Sequence, residues 1–216
     1  MLEFLQNIDS DLMLGINRLH CAVADTFMYT FSGRWIWIPF YAALLVMLMR
    51  RYGWRNALGF TLVVVAIIAV SDQLCATVIR PAVERLRPAN PDNPLSAAVH
   101  IVNGYRGGAF GFPSCHAANT IALATFMTLL TRSRWLGWCT MLWAAMNCYS
   151  RIYLGVHYPG DILVGALIGA GVAWTAYAAV RYYVNMPDIR GERFTRLPVA
   201  VCALTAAGIL LYAILQ

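Results

Sequence analysis

The sequence predicts an all-α fold: a polytopic membrane helix bundle of about six transmembrane helices, preceded by an N-terminal interfacial amphipathic helix. Three observations carry that prediction. The 216 residues are 60% hydrophobic and only 12% charged, with a mean hydropathy of +0.61, where soluble chains are roughly a quarter charged. Six stretches, at about 35–49, 57–79, 116–131, 135–150, 161–180 and 198–215, are apolar enough to span a bilayer. All sixteen basic residues are arginine, and nine of them fall in alternate connections between those stretches, while Arg18, Arg34, Arg80, Arg85, Arg87, Arg106 and Arg151 fall on the other side, so the bias is slight.

Taken in chain order, residues 1–33 carry Glu3, Asp9, Asp11 and Asp25 and lack a basic leader, which argues against a cleaved signal peptide. Leu5, Ile8, Leu12, Ile16 and Leu19 recur at helical spacing, so this segment is expected to lie along the interface without spanning. Several of the apolar runs fall short of the roughly 20 residues a hydrocarbon core needs, so their helices should extend into the flanks. Arg50, Arg51 and Arg55 follow the first run, Arg132 and Arg134 the third, and Arg181, Arg190, Arg193 and Arg196 the fifth. Short arginine-rich connections favour the cytoplasm, so both termini and the remaining connections are expected outside. Trp35, Trp37, Trp54, Trp135 and Trp138 stand near run ends, where an aromatic belt belongs. No internal repeat or composition break divides the chain, so residues 1–216 are expected to form one membrane-embedded domain. Cys21, Cys75, Cys115, Cys139, Cys148 and Cys202 contain no CxxC pair and read as packing residues, not as a disulfide framework or zinc site.

Because successive spans alternate in direction, three polar clusters are expected to emerge on the same outward face. The second run ends in RPAVERLRP, with Arg80 and Arg87; the third begins at Ser114, Cys115 and His116; the fourth and fifth are joined through SRIYLGVHYPGD, with Arg151, His157 and Asp161. An arginine left in lipid costs roughly 2.5–3.5 kcal/mol even on lenient scales, so such residues snorkel, pair or line a polar cavity. Arg80, Arg87 and Arg151 have only Glu84, Asp92 and Asp161 near them in sequence, and together they suit a phosphate, whose oxygens fit the guanidinium fork. Ser114, between Pro113 and the apolar run, is placed as a helix N-cap, leaving the backbone N–H groups of Cys115, His116 and Ala117 for an anion. Pro159 suits a first helical turn, so His157 falls just before a helix and Asp161 within its first turn. A carboxylate that holds one imidazole nitrogen raises the basicity of the other, and His157 can then attack phosphorus while His116 protonates the departing oxygen.

The three clusters together resemble the type 2 phosphatidic acid phosphatase family, whose signatures are Lys, six residues, Arg-Pro; then Pro-Ser-Gly-His; then Ser-Arg, five residues, His, three residues, Asp. Here they stand as Arg80 to Pro88, Pro113 to His116 and Ser150 to Asp161, with every spacing matched. The resemblance implies a metal-independent lipid phosphatase of six helices with no cofactor, acting through a phosphohistidine. It implies His157 as nucleophile, Asp161 as its partner, His116 as general acid, and Arg80, Arg87, Ser114 and Arg151 as phosphate ligands. Two positions depart from the pattern: Arg80 replaces the family lysine, and Cys115 replaces the family glycine. The Cys115 side chain is expected to point away from the anion.

The expected substrate is a membrane-lipid phosphate met at the outer face of the cytoplasmic membrane: undecaprenyl pyrophosphate, phosphatidylglycerophosphate, phosphatidate or a lipid A phosphate. The expected partners are that lipid and the bilayer, not a nucleic acid. The alternative is a non-enzymatic transporter or receptor that binds a lipid phosphate with the same arginines. A cysteine phosphatase fails because Ile121, not arginine, stands six residues after Cys115. A metal at the two histidines is disfavoured by the clustered arginines, and a serine hydrolase built on Ser114, His157 and Asp161 leaves the arginines without a job. Asp72, inside the second run, is expected to partner a site arginine; Gly165 and Gly169 to let helices pack closely; Tyr105, Gly107, Gly108 and Gly111 to form a loop before the helix; and His20 and His100 show no partner.

Overall fold

The computed structural model describes residues 2–184 and 193–216; Arg190, one of the arginines expected on the cytoplasmic side, lies outside them. The helices follow the apolar runs: α1 (Leu2–Asn17), α2 (Ala22–Phe31), α3 (Ile38–Tyr52), α4 (Trp54–Gln73), α5 (Arg80–Val83), α6 (Cys115–Thr131), α7 (Arg134–Tyr153), α8 (Pro159–Tyr183) and α9 (Arg196–Leu215). A π-helical turn, Leu74–Ile79, joins α4 to α5 in one apolar rod, Trp54–Val83. Glu84 ends the rod in the left-handed region at φ 48°. The connection 84–114 holds two short 3₁₀ turns and one isolated antiparallel bridge, Leu86 to Phe110. Among the described residues there is no other extended pairing, and the expected helical membrane bundle holds.

The count of six spans does not follow from length and composition. Among the described residues three helical segments, Trp54–Val83, α8 and α9, are long and apolar enough alone, and α2 with Trp35–Tyr52 makes a fourth if the pair is one span bent by 69°. At 17 residues α6 is short, and α7 is diluted by Arg134, Thr140, Asn147, Ser150 and Arg151. These two helices carry site residues and pack against each other, so their polar groups find protein partners instead of lipid. The N-terminal segment also differs from the single interfacial helix expected. It forms two helices, α1 packed against α7 and α8, and α2 against α7 and α9. The apolar face of α1 is exposed at Phe4, Leu5, Ile8 and Leu12, while Met13 and Asn17 on its other side are buried.

Opposite ends of the bundle are told apart by what they touch. Arg51 Nη2 donates to the carbonyl of Thr131 at 2.7 Å, and Tyr52 Oη to that of Leu130 at 2.9 Å, so the arginine-rich α3–α4 turn meets the C-terminus of α6. At the other end the Ser114 N–H donates to the Asp161 carbonyl at 3.0 Å, joining the starts of α6 and α8. Trp35, Trp54, Trp135 and Trp138 are exposed as a belt requires, but Trp37 is buried. Its indole N–H donates to the Phe31 carbonyl at 2.8 Å, and its ring packs edge-on against Phe31, Phe40 and Trp143, so it is a core residue.

Close contact between α6 and α8 sets the site, and two glycines permit it. A Cβ at Gly165 or Gly169 would run into the backbone carbonyl of Ser114 or Ala118 on α6, the close approach expected of small residues at this spacing. Gly171, on the same helix, faces open space. Gly169→Ala is expected to destabilise the protein by about 1–3 kcal/mol through overpacking, whereas Gly171→Ala is neutral or stabilising by up to about 1 kcal/mol through helix propensity. Thermal unfolding of both variants in detergent checks the contrast.

Candidate active site

The site is assembled from helix starts and one extended segment. Ser114 caps α6, its hydroxyl accepting from the Ala117 N–H at 3.3 Å. Pro159 opens α8, and Asp161 in the first turn accepts the Tyr158 N–H at Oδ2, 3.0 Å away, where helix geometry favours a negative charge. The carboxylate is fully buried. Its Oδ2 also faces His157 Nδ1 at 3.3 Å, and its Oδ1 accepts from Arg85 Nη1 at 3.0 Å. Arg85 reaches on to Asp9 of α1 at 2.7 Å and lies over the Tyr158 ring at 3.8 Å. Asp9 in turn accepts the Gly160 N–H at 2.6 Å.

The tautomer of His157 follows from its neighbours. Arg87 Nη1 lies 2.8 Å from His157 Nε2 while donating to the Val156 carbonyl at 3.0 Å. A guanidinium only donates, so Nε2 is the acceptor and Nδ1 carries the proton toward Asp161. Burial, then the charges of Arg87, Arg151 and Arg80 and the nearby His116, hold the imidazole well below its ordinary range. Burial and the other two arginines bring Arg87 itself down to about 10. The result is a neutral imidazole with its Nε2 lone pair directed at a guanidinium.

His116 is oriented by a residue that the sequence reading did not single out. Asn147 on α7 donates through Nδ2 to the Trp143 carbonyl at 2.9 Å, which turns its Oδ1 to His116 Nε2 at 3.2 Å. Nε2 therefore carries a proton, and Nδ1 is the other ring nitrogen. Asn147 and Arg151 stand four apart on α7, one helical turn, and that spacing was the available signal. Arg85 had a signal as well: two residues before Arg87 on extended backbone, it presents its side chain to the same face. Arg85 takes the carboxylate and Arg87 the imidazole.

All three expected arginines come together. Arg80, Arg87 and Arg151, with His116, His157, Cys115 and Tyr105, line one polar cavity of about 490 Å³. Arg151 donates to the Tyr105 hydroxyl at 2.7 Å, and Arg80 to the Pro113 carbonyl at 3.0 Å. The Nε–H groups of Arg80, Arg87 and Arg151 are all buried without an acceptor. Unmet buried donors of this kind cost on the order of 1–3 kcal/mol each, and acceptor oxygens in the cavity would remove that cost. The 105–111 loop forms a wall: a Cβ at Gly111 would press on Asp161 and Arg87, and one at Gly107 (φ +71°) on Arg87.

Three expectations are corrected. The Cys115 sulfur does not turn away; it accepts from Arg80 Nη2 at 2.9 Å and lines the cavity, because the first turn of α6 leaves the side chain facing that guanidinium. Asp72 is held by Asn119 Nδ2 at 3.2 Å and forms no ion pair with an arginine among the described residues. His20 and His100 do have partners, each other and Asp25. The serine-hydrolase arrangement is also absent among the described contacts, since Ser114 Oγ accepts from the Ala117 N–H and His157 faces Asp161 and Arg87, not the serine.

Comparison with known proteins gives the family. Residues 57–185 match the PAP2 superfamily, and a lipid A 4'-phosphatase of Bacteroides thetaiotaomicron is 44% identical over the whole of both chains. This chain belongs to the PAP2 superfamily. The family expected from the three motifs and the expected reaction class, hydrolysis of a lipid phosphate in a membrane, both hold. A lipid A 4'-phosphatase of Porphyromonas gingivalis is 32% identical over 84% of this chain and 76% of that protein. In fold, the chain resembles Aquifex aeolicus LpxE (TM-score 0.59, 23% identity, 78% of this chain and 93% of that one). It also resembles a transmembrane PAP2-type phosphatidylglycerolphosphate phosphatase of Bacillus subtilis (TM-score 0.62, 19% identity, 85% and 89%).

The depressed His157 has a measurable consequence. An unfolded histidine takes up its proton near pH 6.5 and the buried one does not, so the unfolded state binds more protons below that pH. Stability is therefore expected to fall as the pH drops through about 6.5, by up to about 1.4 kcal/mol per pH unit for this group. His157→Gln should flatten that slope, as read by unfolding in detergent across the range.

Proposed function

We propose that this protein is a lipid A 4'-phosphatase, with His157 as nucleophile, Asp161 as its orienting partner and His116 as general acid. In this reading Arg80, Arg87, Arg151, Ser114 and the Cys115 backbone bind the phosphate, at the outer face of the cytoplasmic membrane. The observation that carries the chemistry is the neutral, Nδ1-protonated His157 beside three buried arginine Nε–H groups without acceptors. The 44% identical relative supports the substrate.

Arg87 holds the lone pair that must attack. An arriving phosphate offers better acceptors, draws the guanidinium onto its own oxygens and frees Nε2. Nε2 then bonds to phosphorus while the bond to the sugar oxygen breaks; a phosphate monoester that enters as its monoanion passes its proton to His116 Nδ1, and the departing alkoxide takes that proton from the imidazolium. The charge on the equatorial oxygens meets fixed guanidinium groups, which need no reorganisation. Water, giving its proton back to His116, attacks the phosphohistidine; the P–N bond breaks, inorganic phosphate leaves, and the imidazole is restored. Asp161 stabilises the positive ring through both steps. A second cavity of about 480 Å³, lined by Tyr41, Leu44, Leu45, Leu48, Val64 and Leu123, shares Arg34, Asp72, Cys115 and His116 with the first. It suits a hydrocarbon chain that enters beside the headgroup.

Release of inorganic phosphate from lipid A in detergent with EDTA, compared with undecaprenyl pyrophosphate, phosphatidylglycerophosphate and phosphatidate, tests the proposal. Lipid A should be the best substrate and His157→Ala should abolish release. Binding without release in the folded wild type would favour a lipid-phosphate transporter or receptor. Cys115→Gly frees an Arg80 donor, so its kcat/KM is expected to rise severalfold through a lower KM; an unchanged KM would show that the thiol contact is immaterial.

A further inference from the structure

Remote in sequence from the phosphate-binding motifs, three side chains from separate segments meet. His20 lies between α1 and α2, Asp25 in the first turn of α2, and His100 in the 84–114 connection. Their ligand atoms all lie within 4.8 Å of one another. We propose that His20, Asp25 and His100 form a binding site for a divalent cation of borderline softness, Zn²⁺ in particular, that staples the N-terminal helix pair to the connection carrying Arg85, Arg87 and Tyr105.

Two imidazoles and one carboxylate are the donor set that suits zinc, nickel or cobalt, and magnesium and calcium prefer oxygen alone. Two of the three donors are already adjacent. His100 Nε2 lies 2.8 Å from Asp25 Oδ2 in a direct hydrogen bond, and a tetrahedral zinc with bonds of about 2.1 Å sets its ligand atoms roughly 3.4 Å apart, so the ion replaces that bond as the pair parts by roughly half an ångström. Each is also oriented from behind. The other carboxylate oxygen of Asp25 accepts from the Tyr153 hydroxyl at 2.6 Å. The backbone of His100 is clamped on both sides by Asn17, at 2.8 and 3.0 Å, and Asn17 also donates to the Tyr153 carbonyl at 2.7 Å. Partners that fix ligands in this way are what metal sites use to gain affinity. His20 is the adjustable member. Its exposed ring stacks on His100 at 3.8 Å, and a turn about its side-chain bonds brings a nitrogen to the ion, with water completing the coordination.

The site takes no part in phosphate chemistry, so the staple and the proposed reaction fail separately. The test uses the full chain, freed of any affinity tag and stripped with EDTA. Calorimetric titration with ZnCl₂ should show one zinc per chain, and saturating zinc should raise the melting temperature by about 5 °C. His20→Ala, a change at an exposed position, should lose the binding and the shift, and His20→Cys should restore both. Cys21→Ser should keep them. Absence of binding at millimolar zinc, or binding untouched by His20→Ala, would overturn the proposal. The initial rate of phosphate release in EDTA should be unchanged by His20→Ala.

Discussion

One buried carboxylate ties the site together. Asp161 starts α8, faces the inner nitrogen of His157 and receives Arg85, while its own carbonyl receives the first N–H of the Pro-Ser-Cys-His segment. A charge taken fully out of water is tolerated only where its lone pairs have donors, and here the donors come from two parts of the chain, the 157–158 segment and Arg85. Moving any of them leaves the carboxylate exposed to the cost of burial. The demand for compensation thus holds α8 and the 84–114 connection in register, while the Ser114 N–H on the Asp161 carbonyl ties in the start of α6, and the glycines on α8 allow the two helix backbones to come that close.

Around this junction the arginines divide into two kinds. Arg85 is matched by Asp9 and Asp161, and its role is structural. Arg80, Arg87 and Arg151 lean on carbonyls, a hydroxyl, a thiol and an imidazole, none of which carries a full negative charge. A cluster of cations satisfied only by neutral acceptors is held under electrostatic tension, and such a cluster is relieved by an anion. Burial and then the same charges depress His157, so the proposed phosphate-binding groups also help keep the proposed nucleophile unprotonated.

Much of this was legible in the residues themselves because it rests on local rules. Ser114 as a cap and Pro159 as a first-turn residue place His116 and Asp161 at helix starts, and the alternation of spans brings the three clusters to one end. What escaped depends on closure of the tertiary structure. Arg85 looked like one more outward arginine until Asp9 and Asp161 were seen on either side of it. Asn147 looked like a dilution of an apolar helix until its amide was seen fixed between Trp143 and His116. Asp72 was expected to partner a site arginine, but the Asn119 amide on α6 donates to it instead. Trp37 had the spacing of a belt residue, and the bend after α2 turned it inward. Length and composition alone do not reach the expected six spans for a related reason, since helices that bury polar site residues against each other need less apolar length than isolated ones.

The shared wall between the polar and apolar cavities has a kinetic meaning. Cys115 and His116 border both spaces, so in the proposed reaction a phosphate is presented to His157 while the attached chains stay among the hydrocarbon tails. The lipid need not be lifted from its leaflet, and the large cost of exposing acyl chains to water never enters the barrier. Encounter is then a search in two dimensions, and the concentration that matters is the mole fraction of substrate in the surface. Diluting the lipid with an inert amphiphile slows such an enzyme even when the bulk concentration is held constant.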